Sequence, residues 1–165
     1  MLKNKKGFTL SELMAVVITI GVLSAFAVPT YRTSMIKTRI VNNMAYLNAL
    51  QNDMLNYYNL HGRLPNKLTQ LSITAQDFRN LTDTTGTHIP TGCTLTLNNN
   101  ENAPNIFMNC NQDWSMEYQL NSTGIGYTLG NKVFIVGQGS NTSRLDNIAS
   151  SLGWTLHGNH TYTIR

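Results

Sequence analysis

From Phe8 to Val28 the chain is almost wholly apolar, and Glu12 is the only charge in that run. About 21 residues rising about 1.5 Å each give roughly 32 Å, close to the hydrocarbon thickness of a bilayer. Pro29 closes the run, where a proline removes one helical hydrogen bond and is positioned to kink or open the helix. Beyond it, Ile36, Ile40, Met44, Leu47, Leu50 or Gln51, Met54 and Tyr58 recur every three to four residues. Thr38, Asn42, Asn48, Asn52, Asn56 and Asn59 occupy much of the other side. This is the period of an amphipathic helix that needs an apolar surface against its stripe. Gly62 is placed to cap it and Pro65 to stop it.

The pattern then changes. Residues 66–92 read as an irregular connector with a short helix near Thr74 to Leu81. Cys93–Leu97 and Ile106–Cys110 flank an Asn-rich turn as two arms of a hairpin. Met116, Tyr118 and Leu120 alternate with Glu117 and Gln119, the period of a half-buried strand. Tyr127–Leu129 and Val133–Val136 stand on either side of Gly130-Asn131, a tight-turn dipeptide. Ser143 to Leu152 reads as a helix stopped by Gly153, and Trp154–Leu156 with Thr161–Ile164 as a closing hairpin around Gly158-Asn159. A long helix covering an antiparallel sheet, an α+β fold, is the economical way to bury both apolar faces.

Charge sharpens this picture. The formal net charge is +4, but Lys3, Lys5 and Lys6 precede the apolar run; without them nine Lys and Arg face eight Asp and Glu. A near-neutral body lacks the basic face that nucleic-acid binding needs. The lysines stay on the cytoplasmic side by the positive-inside rule, which predicts a single pass with the remainder exported. A secretory signal peptide would have a shorter apolar stretch, although Ala25-Phe26-Ala27 superficially fits its cleavage site. A plain anchor leaves Glu12 unexplained, because a carboxylate one turn inside an apolar run costs several kcal/mol unless it has a partner.

Lys6-Gly7-Phe8-Thr9-Leu10-Ser11-Glu12-Leu13-Met14 resembles the prepilin cleavage motif of type IV pilins and type II secretion pseudopilins. Short basic leader, glycine, phenylalanine, offset glutamate and apolar helix coincide here. Ser11 departs from the aliphatic residue common beside that glutamate. The resemblance implies leader cleavage between Gly7 and Phe8 by a membrane prepilin peptidase, N-methylation of Phe8, and a subunit-assembly role for Glu12. Glu12 lies about 6 Å along the helix from Phe8, so the new amine of a staggered neighbour can approach its carboxylate. In a low-dielectric setting that pairing fixes the register between subunits. The segment Tyr57 to Pro65 also resembles a pilin helix end, with Leu64 in place of the usual tyrosine.

The implied organisation is a leader at 1–7, a transmembrane and filament-core helix at 8–28, an amphipathic helix at 29–61 and an exported sheet region at 62–165. Cys93 and Cys110 form no C-x-x-C pair, so neither zinc nor a thioredoxin-like motif is signalled. In an exported domain they are expected to form a disulfide, worth roughly 3 kcal/mol for a loop of about 16 residues. The pilin family often places its disulfide around a C-terminal loop, so the C-terminal fold is expected to differ.

Nothing in the sequence signals an enzyme, a metal or a cofactor. His157 and His160 beside Gly158-Asn159 are half a metal site at most, and Gly137–Ser140 lacks the lysine of a phosphate loop. Asn121-Ser122-Thr123 and Asn141-Thr142-Ser143 match a glycan-acceptor pattern that carries little weight here. Three functions remain: a structural subunit of a type IV pilus, a pseudopilin of a type II secretion system, and a membrane-anchored binding protein or enzyme. The first two imply the same partners: identical or related subunits, the peptidase, an assembly ATPase and platform, and the inner membrane. The chain then ends in a cell-surface or periplasmic filament. The calcium loop typical of the major pseudopilin has no clear match.

Overall fold

A computed structural model describes residues 7–72, 77–98, 104–110, 113–122, 127–137 and 141–164. The leader lysines, the Asn-rich turn at 99–103 and most of the Gly137–Ser140 turn lie outside the described residues. The chain divides into two compact units, Met1–Thr38 and Arg39–Arg165.

Helix α1 spans Leu10–His61, and its residues up to Thr38 belong to the first unit. The backbone is helical on both sides of Pro29. Threonines around it serve carbonyls: the Thr30 hydroxyl donates to Phe26 and Ala27, and that of Thr33 to Pro29. Such i−3 and i−4 back-bonds give each hydroxyl an acceptor within the helix.

The second unit is one helix-covered antiparallel sheet. Its strands are β1 Phe78–Arg79, β2 Thr85–His88, β3 Thr94–Asn98, β4 Asn105–Cys110, β5 Trp114–Ser122, β6 Tyr127–Val136, β7 Thr155–Gly158 and β8 Thr161–Thr163. They lie in the order β1-β2-β3-β4-β5-β6-β8-β7. Helix α2, Thr142–Ser151, follows β6. This is the α+β layout expected from the sequence.

The apolar positions decide which way each element faces. From α1, Ile40, Leu47, Leu50 and Met54 are fully buried. Leu95 and Leu97 of β3, Ile106 and Met108 of β4, and Met116, Tyr118 and Leu120 of β5 alternate onto the buried face. Each such side chain removed from water contributes about 1.5–3 kcal/mol. Near the C-terminus the rings of Trp114, Trp154 and Tyr162 surround Phe134 at 5.0 to 6.4 Å between centroids. Leu145, Ile148 and Ala149 of α2 are buried as well. Gly62 and Gly153 sit at φ +69° and +75°, the left-handed conformation that ends a helix without a Cβ penalty.

Three expectations need correcting. Gly130-Asn131 is not a turn: β6 runs unbroken from Tyr127 to Val136 beside β5. Tyr118 pairs with Lys132 and Leu120 with Leu129, so β6 takes one residue more than β5 in that interval, as in a β-bulge. A Cβ on Gly130 would lie 2.8 Å from the Gln119 carbonyl oxygen and 2.6 Å from Asn121 Oδ1, so the glycine serves a close backbone approach. The reversal of chain direction falls between Ser122 and Tyr127 instead. Second, residues 73–76 lie outside the described ones, and the helix expected near Thr74 to Leu81 does not reach its end, because Phe78 and Arg79 pair with β2 as a strand. Third, the stripe of α1 turns by one residue: Asn43 is buried and Met44 only half-buried.

The connector at 66–92 contains β2, whose Thr-Gly-Thr-His composition gives no apolar alternation to read. Ahead of it, the loop after α1 returns to the helix through Ser72, whose N–H and hydroxyl donate to the Asp53 carboxylate at 2.7 to 3.1 Å.

Candidate assembly segment and the buried polar cluster

Gly7 and Phe8 are exposed and non-helical, and α1 begins at Leu10. Thr9 and Glu12 make that start. The Thr9 N–H and hydroxyl donate to Glu12 Oε2 at 2.8 and 2.7 Å, and the Glu12 N–H lies 3.3 Å from Thr9 Oγ1. This is a capping box, in which residues three apart satisfy each other's backbone donors. The Thr-x-x-Glu spacing was legible in the sequence, yet only the charge of Glu12 was weighed there. The carboxylate therefore has partners inside its own chain, both on one oxygen.

Below the cap the helix is apolar on every side. From Leu10 to Val28 every residue is exposed. Phe8, Leu10, Leu23 and Phe26 are 69 to 85% exposed. A helix that is apolar all round needs lipid or other helices to cover it. The Thr19 hydroxyl donates to the Val16 carbonyl, which removes an unsatisfied donor from the run.

Cys93 and Cys110 are joined as a disulfide, Cα–Cα 4.4 Å, from the residue just before β3 to the last residue of the neighbouring β4. Asn43 of α1 donates its amide to both sulfurs, at 3.2 Å to Cys93 and 3.6 Å to Cys110. Its carbonyl accepts from the Thr91 hydroxyl at 3.0 Å and lies 3.1 Å from His88 Nδ1. His88 is 4% exposed, with its ring against Tyr46 and Phe78. Sequence reasoning missed this cluster because an asparagine in the polar half of a helical pattern carries no sign of burial. Burial holds the His88 imidazole below its ordinary value, with Asp77 opposing.

His160, weighed in the sequence as half a metal site, lies with its Nδ1 2.8 Å from Asp146 Oδ2. The Tyr162 hydroxyl donates to Asp146 Oδ1 at 2.7 Å, and burial with that carboxylate pushes the phenol up to about 12. His157 is exposed on β7. Among the described residues no three metal-binding side chains converge.

Comparison with known proteins points one way. The chain is 42% identical over 50 residues to a fimbrial protein of Pseudomonas aeruginosa, covering 30% of this chain and 32% of that protein. It is 43% identical over 47 residues to the type IV major fimbrial protein FimA of Dichelobacter nodosus, covering 28% and 29%. It is 30% identical over 69 residues to the type IV major pilin protein PilE1 of Neisseria gonorrhoeae, covering 42% of each. The chain thus spans about three to four tenths of the length of the curated relatives it matches. No family model and no solved structure matches. These relatives support the type IV pilin family for this chain, in agreement with the motif around Gly7 and Glu12.

Proposed function

We propose that the chain is a structural subunit of a type IV pilus-like filament. It enters the inner membrane once with its N-terminus in the cytoplasm, loses residues 1–7 to a prepilin peptidase, and is assembled by a platform protein and ATPase. The observation that carries this reading is the capped and exposed start of α1, apolar but for Ser11 and one carboxylate, beside an accessible Gly7–Phe8 junction. Lipid covers such a helix before assembly and neighbouring helices cover it afterwards.

Cleavage at Gly7 creates a positive amine at Phe8, which the peptidase then methylates. Because the capping bonds use Oε2, the Oε1 oxygen of Glu12 is available to the amine of an axially staggered neighbour. A buried pair of this kind specifies register, since other staggers leave each charge alone. Pro29, with no N–H to donate, is the point in α1 where the helix can open during packing.

Intact-mass and N-terminal analysis of the mature protein tests the reading. It should begin at Phe8 and carry one added methyl group. A protein beginning at Met1, or cut near Ala27, contradicts it.

A further inference from the structure

His88 is the one histidine buried among the described residues, and nothing in filament assembly uses it. Its surroundings belong to three parts of the second unit. Asn43 and Tyr46 reach it from α1, Phe78 from β1, and Thr91 from the loop after its own strand. The charged group acting on it is Asp77, which precedes β1.

The hydrogen bonds fit one protonation of the neutral ring. Asn43 Oδ1 can only accept, and it already receives the Thr91 hydroxyl. His88 Nδ1, 2.7 Å from Thr91 Oγ1 and 3.1 Å from Asn43 Oδ1, is then assigned as the donor. With the neutral ring's hydrogen on Nδ1, acid adds its proton at Nε2 of a ring that is 4% exposed and lies against Tyr46 and Phe78. Placing a cation there is costly unless the site opens.

What opens is set by the pairing. β1 is a two-residue edge strand that pairs only with β2, and such edges open at less cost than the centre of a sheet. The disulfide staples β3 to β4 from Cys93 onward, so opening that starts at the edge is stopped there.

We propose that His88 is a pH-sensitive latch: neutral, it ties the β1–β2 edge to α1, and its protonation releases residues 77–92 while the rest of the sheet stays folded. An open form takes up a proton more readily than the closed one. Opening is then suppressed above the ordinary histidine value of about 6.5 and rises as pH falls below it, by up to tenfold per pH unit for one proton. The rise ends where the closed form itself is protonated.

Amide hydrogen exchange on the full chain in detergent micelles, corrected for intrinsic exchange rates, measures this directly. Between pH 7.5 and 5, peptides within 77–92 should exchange faster, with a ceiling of about thirtyfold set by the roughly 1.5 pH units below the ordinary histidine value, while β4, β5 and β6 do not change. In His88→Gln, which keeps hydrogen-bonding groups without titrating, the gain should vanish; in His160→Gln it should persist. An equal gain in His88→Gln, or one spread over the whole sheet, overturns the proposal. If His88→Gln does not fold, NMR titration of the wild-type histidines decides: a His88 ring titrating at or above its ordinary value overturns the latch, and one titrating below it supports the latch.

Discussion

Thr9 and Glu12 are bonded reciprocally at the head of α1, with the Thr9 N–H 2.8 Å and its hydroxyl 2.7 Å from a single oxygen of the Glu12 carboxylate. An anion in the first turn also meets the positive end of the helix dipole. The charge that looked isolated in an apolar run is thus held by its own chain before any neighbour arrives. Thr9→Val keeps the shape and the backbone donor and loses the hydroxyl. It should weaken the helix start by about 0.5–2 kcal/mol. Amide exchange of residues 10–13 in micelles should speed up correspondingly, and unchanged rates would show that the cap contributes nothing there.

Asn43 and Asn42 are neighbours in sequence with opposite surroundings, one fully buried in the polar cluster and the other exposed. Asn43→Ala removes the partner of Thr91 and His88 and should destabilise the sheet unit by about 1–3 kcal/mol. Asn42→Ala should stay within about 0.5 kcal/mol of wild type. Thermal unfolding of the two variants side by side reads the contrast, and equal melting temperatures would refute the assigned burial.

Gly130→Ala is expected to cost about 1–3 kcal/mol, because the new Cβ meets a strand carbonyl that cannot rotate away. Asn121, the other close neighbour, has a side chain that can swing aside. Chemical denaturation of Gly130→Ala beside Gly130→Ala/Asn121→Ala separates the two contacts. Full rescue by the second change would place the strain on Asn121 rather than on the backbone.

Replacing Cys93 and Cys110 together by serine should lower stability by about 3 kcal/mol. The loss should be smaller when Asn43 is already alanine, since Asn43 donates to both sulfurs and residues that share partners are not additive. A double-mutant cycle with no coupling would contradict a shared cluster.

Much of this fold was legible because the signals were periodic. The alternation through Met116, Tyr118 and Leu120, the stripe through Ile40, Leu47 and Met54, and the glycine stop at Gly153 each follow from local geometry. The misreadings share a physical cause. Gly130-Asn131 suits a tight turn, but the pairing of β6 with β5 on both sides overrides the dipeptide. Asn43 gave no sign of burial because its partners are 45 to 67 residues away. β2 was invisible because Thr and Gly carry its pairing without apolar alternation. For the proposed assembly segment, the sequence displayed the residues around Gly7 and Glu12, whereas the capping bonds show how Glu12 is held in a single chain.

The central claim is that the chain is a filament subunit in which Glu12 meets the Phe8 amine of a neighbour. Glu12→Leu makes the helix more apolar, so membrane insertion and cleavage after Gly7 should continue. It leaves the neighbour's amine buried without its partner, and breaking one side of such a pair costs about 3–5 kcal/mol at each subunit added. The decisive measurement is the amount of epitope-tagged chain in sheared filaments relative to processed chain in membranes, compared between wild type and Glu12→Leu. The account predicts tagged wild-type chain in the filaments, and a processed Glu12→Leu chain retained in the membrane. Equal incorporation of the two, or a processed wild-type chain that never enters a filament, would contradict it.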